Sequence, residues 1–223
     1  MDSKLFGQAL AKFFGGVVLL GLLVFLPAGT FRYTQGWIFM AALFLPMFIA
    51  GIVLMIKNPE LLRKRLSADE EEDEQKTVLA LSGIMFIAAF VIAGLNYRFD
   101  WFVLPMPVTI IATIIFLLAY VMYAEVLREN TYLSRTVEVQ EDQKVIDTGL
   151  YGIVRHPMYT STVVLFLAMP LILGSLISTV IMLAYIPIIA KRIKNEEEVL
   201  EQGLPGYTEY KQKVRCKLIP KIW

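Results

Sequence analysis

Five stretches of this sequence contain no Asp, Glu, Lys or Arg: residues 13–31, 33–56, 77–97, 101–124 and 156–190. A bilayer core of about 30 Å needs roughly 20 apolar residues per helix, so each of the first four suits one crossing. The fifth, at 35 residues, would make a helix of about 52 Å at 1.5 Å per residue, longer than a bilayer is thick. Pro170, Gly174 and Ser175 sit near its middle. Proline removes a helix hydrogen bond and glycine accepts a turn, so the stretch is expected to fold into a short hairpin bent near Gly174. The predicted fold class is all-α, a polytopic membrane protein of about six transmembrane helices.

Composition agrees. Hydrophobic residues make up 57% of the 223, charged residues 18%, and the mean hydropathy is +0.62, outside the range of an ordinary soluble domain. A formal charge of +1 leaves no basic excess for a phosphate backbone, which removes nucleic acid as a partner. One cysteine, Cys216, and one histidine, His156, are too few for an internal disulfide or a cysteine- or histidine-based metal site. The first apolar stretch is long for a signal peptide and lacks a small-residue cleavage site, so it is kept as a helix.

The charges between stretches alternate. With six crossings, 19 of the 21 Lys and Arg fall on one side, as the positive-inside rule expects of a chain with both termini cytoplasmic. The acidic run from Asp69 to Glu74 reads as a solvated loop face. Residues 1–125 are then expected to form four membrane helices with a lipid groove. Residues 126–223, which hold most of the remaining polar groups, are expected to form the functional region of hairpin and C-terminal tail. A bacterial or archaeal inner membrane is favoured, with the endoplasmic reticulum open. Oligomeric state is not readable.

The junction into the hairpin runs Gly149-Leu150-Tyr151-Gly152-Ile153-Val154-Arg155-His156-Pro157-Met158-Tyr159. Pro157 suits the first turn of a helix, so Arg155 and His156 stand at its mouth, where backbone donors favour anions. His156 and Tyr159, three apart, share one helical face. On physics alone a purely structural reading is favoured: Arg155 reaching headgroups, His156 capping the helix, Tyr159 in an interfacial aromatic belt. Beyond the hairpin, Arg192 and Glu196 lie at i and i+4 and can pair. Glu197 is about 100° further round, so part of this acidic cluster is expected to be solvated.

Taken together, Gly149, Tyr151, Arg155, His156, Pro157 and Tyr159, followed by Arg192, Glu196, Glu197, Gly206, Tyr207, Tyr210, Ile219 and Pro220, resemble the paired motifs of the isoprenylcysteine carboxyl methyltransferase and phospholipid methyltransferase superfamily. The similarity covers roughly residues 130–223. It implies an integral-membrane methyltransferase that uses S-adenosylmethionine, releases S-adenosylhomocysteine and acts on a lipophilic or prenylated substrate amid membrane lipids. The cofactor pocket would be cytoplasmic, between the last helices and the tail.

By the same resemblance Gly149, Leu150, Tyr151, Arg155, His156 and Tyr159 would line the cofactor, Glu196 or Glu197 would hold its charged methionine end, and Arg192 would face the substrate. The catalytic set is thus Arg192, Glu196, Glu197 and Arg155, without metal. One departure stands out: Gln143 occupies the register of a family histidine. Gapless counting from Tyr207 selects Glu196, whereas the spacing to Leu200 selects Glu197.

Methyl transfer from a sulfonium needs few catalytic groups, because the electrophile is already activated and must only be held near its acceptor in a dry pocket. A carboxylate acceptor, oriented by Arg192, needs no base. An amine acceptor, as in a phospholipid N-methyltransferase, needs one, with Glu196, Glu197 or His156 as candidates. A small transporter or a scaffold is the competing class, but the first four helices carry no acid or base to mark a solute path.

Overall fold

The computed structural model describes residues 3–66, 73–133 and 139–223. These form helices α1 (Ser3–Ala28), α2 (Thr34–Lys57), α3 (Pro59–Leu66), α4 (Asp73–Phe99), α5 (Met106–Glu129), α6 (Pro157–Ile172), α7 (Leu176–Met182), α8 (Tyr185–Gly203) and α9 (Tyr207–Lys213), with a 3-10 turn at Gly149–Gly152. Among the described residues the only extended pairing is one isolated bridge between Val103 and Ser175. The all-α, polytopic expectation is borne out.

Among the described residues five helical spans are long and apolar enough to cross a membrane: Lys4–Ala28, Thr34–Lys57, Thr77–Phe99, Met106–Glu129 and Leu176–Gly203. The sixth expected crossing, Pro157–Ile172, is a shorter apolar helix of 16 residues, about 24 Å at 1.5 Å per residue. The hairpin bends where the sequence places it. Leu173 caps α6, Gly174 takes φ +69°, and the Ser175 hydroxyl accepts from the Ser178 amide at 3.2 Å to start α7. The returning arm breaks again between α7 and α8. Pro187 has no N–H, and its ring crowds the carbonyl four residues back, on Leu183, which instead accepts a tighter bond from Ile186 at 3.1 Å.

The hairpin is pinned inside the bundle. Its tip is held by Leu104 N–H to Gly174 O at 2.8 Å and by the Tyr33 hydroxyl to Leu173 O at 2.5 Å. Helix α6 packs along α5, α7 on α4, and α4 along α1. A continuous core of Val24, Phe39, Phe90, Ala93, Phe116, Leu165 and Ile172 joins α1, α2, α4, α5 and α6. Large apolar side chains such as Leu26, Leu118 and Val121 face outward, as expected of helices solvated by lipid.

The segment between α2 and α4 contains one element the charge pattern does not reveal. Asn58 Oδ1 accepts from the Leu61 amide at 3.0 Å and Pro59 takes the first helical position, so Asn-Pro-Glu opens α3. Helix α3 buries Leu61 and Leu62 and brings the Arg65 guanidinium to 3.9 Å from Met158 Sδ, at the start of α6. In the acidic run, 69–72 lies outside the described residues and Asp73 and Glu74 begin α4.

Candidate active site

The polar ends of α5, α6 and α8 meet under the C-terminal tail. His156, with φ −124° and ψ 62°, precedes Pro157 and is the cap position of α6. Tail carbonyls stand at the mouth of that helix. The Arg155 amide donates to Cys216 O at 2.9 Å, the His156 amide to Lys217 O at 3.0 Å, and the Thr160 hydroxyl to Leu218 O at 2.8 Å. Three hydrogen bonds thus fix the tail to the start of α6, one of them from the cap amide of His156.

Glu197 sits at the centre of this junction. It is buried, and its Oε1 accepts from Arg155 Nε at 2.8 Å and lies 3.1 Å from His156 Nε2, while Oε2 lies 2.8 Å from Lys217 Nζ. The Arg155 guanidinium is completed by Val214 O at 2.7 Å and Arg215 O at 2.8 Å. A carboxylate with two fixed cations and an imidazole around it is a fastener for the tail. The expectation that residues past Glu196 would be solvated fails for Glu197, because the tail folds back over this face of α8.

Glu196 points elsewhere. Its carboxylate accepts from the Tyr159 hydroxyl, and that hydroxyl accepts from Arg192 Nε at 3.0 Å. His156 Nδ1 lies 3.8 Å from Glu196 Oε1, and the His156 and Tyr159 rings stack with centroids 5.7 Å apart. The i, i+4 spacing of Arg192 and Glu196 is thus realised through the phenol of Tyr159 on the opposite hairpin arm.

These groups form one side of a cavity. Tyr159, Arg192, Glu196, Arg155 and His156 line it from the hairpin, Asn130 and Tyr132 from beyond α5, Gln143 and Lys144 from the connecting segment, and Leu204, Tyr207 and Tyr210 from the tail. Tyr151 belongs to the wall too, held by the Asn130 amide to its hydroxyl at 3.0 Å and by the Tyr210 hydroxyl to its carbonyl at 2.8 Å. Burial pushes the phenols of Tyr151, Tyr207 and Tyr210 above their ordinary range, so all three remain neutral.

Gly149 and Leu150 stand behind this wall. The Glu129 carboxylate accepts from the Thr148 hydroxyl at 3.2 Å and the Leu150 amide at 3.1 Å, and an added Cβ on Gly149 would meet Glu129 Oε1 at 1.9 Å. Gly149, at φ +49°, is there to let this carboxylate in. Its role is to fix the turn that presents Tyr151.

The sequence motifs therefore converge on one cavity, with Glu196, Tyr159, Arg192, His156, Arg155 and Tyr151 on its surface and Glu197, Gly149 and Leu150 supporting it. Asn130, Tyr132, Glu129 and Lys217 were not singled out by sequence. Tyr207 and Tyr210 were visible as part of the Tyr-x-x-Tyr motif without being given a role. Gln143, in the register of the family histidine, is on the wall.

Cavity chemistry of this kind, a carboxylate and a guanidinium joined by a phenol amid tyrosines, suits a ligand with a cationic end and an aromatic body. Among the described residues no group of three or more His, Cys, Asp and Glu could hold a metal ion. A search of curated proteins finds no match to the chain. Residues 108–202, which run from α5 through the hairpin to the end of the Glu196–Glu197 helix, match the isoprenylcysteine carboxyl methyltransferase (ICMT) family model. The resemblance carried by the two motifs is borne out: in this polytopic membrane protein the stretch 108–202 is similar to a methyltransferase family, that of isoprenylcysteine carboxyl methyltransferase.

Proposed function

We propose that the protein uses S-adenosylmethionine to methylate the carboxylate of a lipophilic, isoprenylcysteine-like substrate at the cytoplasmic face of a membrane. The observation that carries this reading is the line Glu196, Tyr159, Arg192. It sets an anion and a cation side by side on one cavity wall, bridged by a phenol whose hydroxyl serves both. The residues present fit the cofactor: Glu196 offers a carboxylate for its ammonium group, and Tyr151, His156 and Tyr159 offer ring faces and edges. Bound there, the cofactor would supply an already activated methyl group.

Each residue then has a physical task. Glu196 holds the cationic amino-acid end of the cofactor. Arg192 orients the acceptor carboxylate through its two-donor fork and keeps it ionised, and a carboxylate acceptor requires no base. Arg155 and Glu197 act as positioning residues: they lash the tail to the hairpin and so close the cavity against water, which strengthens the remaining electrostatic contacts. The lipid tail of the substrate would lie among the membrane helices, with its polar end reaching the cavity. Both chain termini lie on the cytoplasmic side in this reading, consistent with the distribution of positive charge.

Transfer of a labelled methyl group distinguishes the chemistry. With an N-acylated S-prenylcysteine, the product is expected to be an ester that releases methanol in mild base. Labelling of phosphatidylethanolamine in a base-stable form, with none on the prenylcysteine, would instead establish the amine chemistry.

A further inference from the structure

Tyr207 opens α9 on the tail side of the cavity, beyond the 108–202 family match. Its side chain is buried, and among the described residues its hydroxyl has no hydrogen-bond partner. Tyr210, one turn on, shows the ordinary outcome for a buried phenol in this tail: its hydroxyl donates to Tyr151 O at 2.8 Å. Thr109 Oγ1 shares the unpartnered condition, but it belongs to α5 within the membrane bundle and does not line the cavity. Tyr207 is among the residues that line the cavity, so a ligand seated there can supply the acceptor its buried hydroxyl lacks.

What that ligand atom should be follows from the neighbours. Tyr207 shares the cavity with Glu196, and burial together with the nearby carboxylates of Glu197 and Glu196 raises its phenol well above the ordinary value. It therefore offers a proton and takes none away. In an α-amino acid the ammonium and carboxylate are attached to one carbon. A ligand whose ammonium is held by Glu196 must then satisfy its carboxylate within a few ångströms, and a carboxylate needs donors.

We propose that Tyr207 Oη donates a hydrogen bond to the carboxylate of the bound cofactor's amino-acid end, so that Glu196 and Tyr207 together form a receptor for a zwitterion. This rests on the reading of the cavity as the S-adenosylmethionine site and assigns the second half of that receptor.

Three ligands test it by calorimetric titration: S-adenosylhomocysteine, its decarboxylated analogue, which keeps the ammonium alone, and 5′-methylthioadenosine, which lacks the amino-acid end. In the parent, loss of the carboxylate is expected to weaken binding about tenfold, the weight of one hydrogen bond to a charged group. Tyr207→Phe is expected to bind S-adenosylhomocysteine about tenfold more weakly and to bind the decarboxylated analogue and 5′-methylthioadenosine as the parent does. Without ligand its melting temperature should match or exceed the parent's, since it removes an unpaired buried hydroxyl.

Equal affinity of Tyr207→Phe and parent for S-adenosylhomocysteine overturns the proposal. So does an equal loss for all three ligands, or a melting temperature several degrees lower without ligand. Parent protein that binds none of the three overturns the cofactor reading itself. If Tyr207→Phe does not fold, the parent's discrimination between S-adenosylhomocysteine and its decarboxylated analogue decides: no discrimination refutes the role of the carboxylate.

Discussion

Arg192 on α8 and Tyr159 on α6 meet at 3.0 Å, guanidinium Nε to phenol oxygen, across the two arms of the hairpin. The same phenol donates to Glu196, so a single hydroxyl ties the cation proposed to face the substrate to the anion proposed to face the cofactor.

The adjacent glutamates should separate cleanly. Glu196→Gln is expected to weaken S-adenosylhomocysteine binding at least tenfold and leave the melting temperature nearly unchanged. Glu197→Gln leaves Arg155 and Lys217 without their counter-charge under the tail, a loss of about 3 kcal/mol if the pair behaves like other buried ion pairs. Thermal denaturation and titration of both variants check this, and a stability loss in Glu196→Gln alone would reverse the assignment.

Arg192→Lys keeps the charge but gives up the planar fork. Cofactor affinity should hold while turnover on a prenylcysteine carboxylate falls roughly 10- to 100-fold, the equivalent of one charged hydrogen bond. Full turnover in this variant would favour an amine acceptor.

How much of this was legible in the sequence can be judged residue by residue. Pro170 and Gly174 located the hairpin because backbone chemistry is local, and His156 and Tyr159 share a face because i, i+3 spacing is local too. The burial of Glu197 was not legible. It depends on Lys217, Val214 and Arg215, which lie far along the chain and return over α8 only after Gly206 turns it with φ +86°. The bonding of the Cys216 and Lys217 carbonyls to the amides just ahead of α6 was hidden for the same reason. Helix α3 is only eight residues long and rich in charge, so it carries little apolar pattern, although Asn58 and Pro59 are a start signal.

Gly149→Ala should be among the more damaging small substitutions. It combines a positive φ with a Cβ placed 1.9 Å from Glu129 Oε1, and a cost of about 1–3 kcal/mol is expected from the strain and the displaced carboxylate. Gly83→Ala, in α4 with nothing within 4 Å of the new Cβ, should be neutral or stabilising. Melting temperatures of the two variants in the same detergent provide the comparison.

Alkaline pH should loosen the tail first. Burial raises the phenols of Tyr151, Tyr207 and Tyr210 above the ordinary tyrosine value of about 10. Below about pH 10 they are neutral in both folded and unfolded chains and add nothing to the pH dependence. Above it the unfolded chain releases protons that the folded chain retains, so stability falls as pH rises. The decline between about pH 10 and 11 should be shallower in Tyr207→Phe than in the parent, measured as melting temperature against pH.

The cofactor is the point on which the functional reading stands. Calorimetric titration of the folded, detergent-solubilised protein with S-adenosylhomocysteine should give a saturable one-site isotherm that is strongly weakened in Glu196→Gln and retained in Arg192→Lys. Heats indistinguishable from dilution, in a preparation whose cooperative melting shows it to be folded, would contradict it.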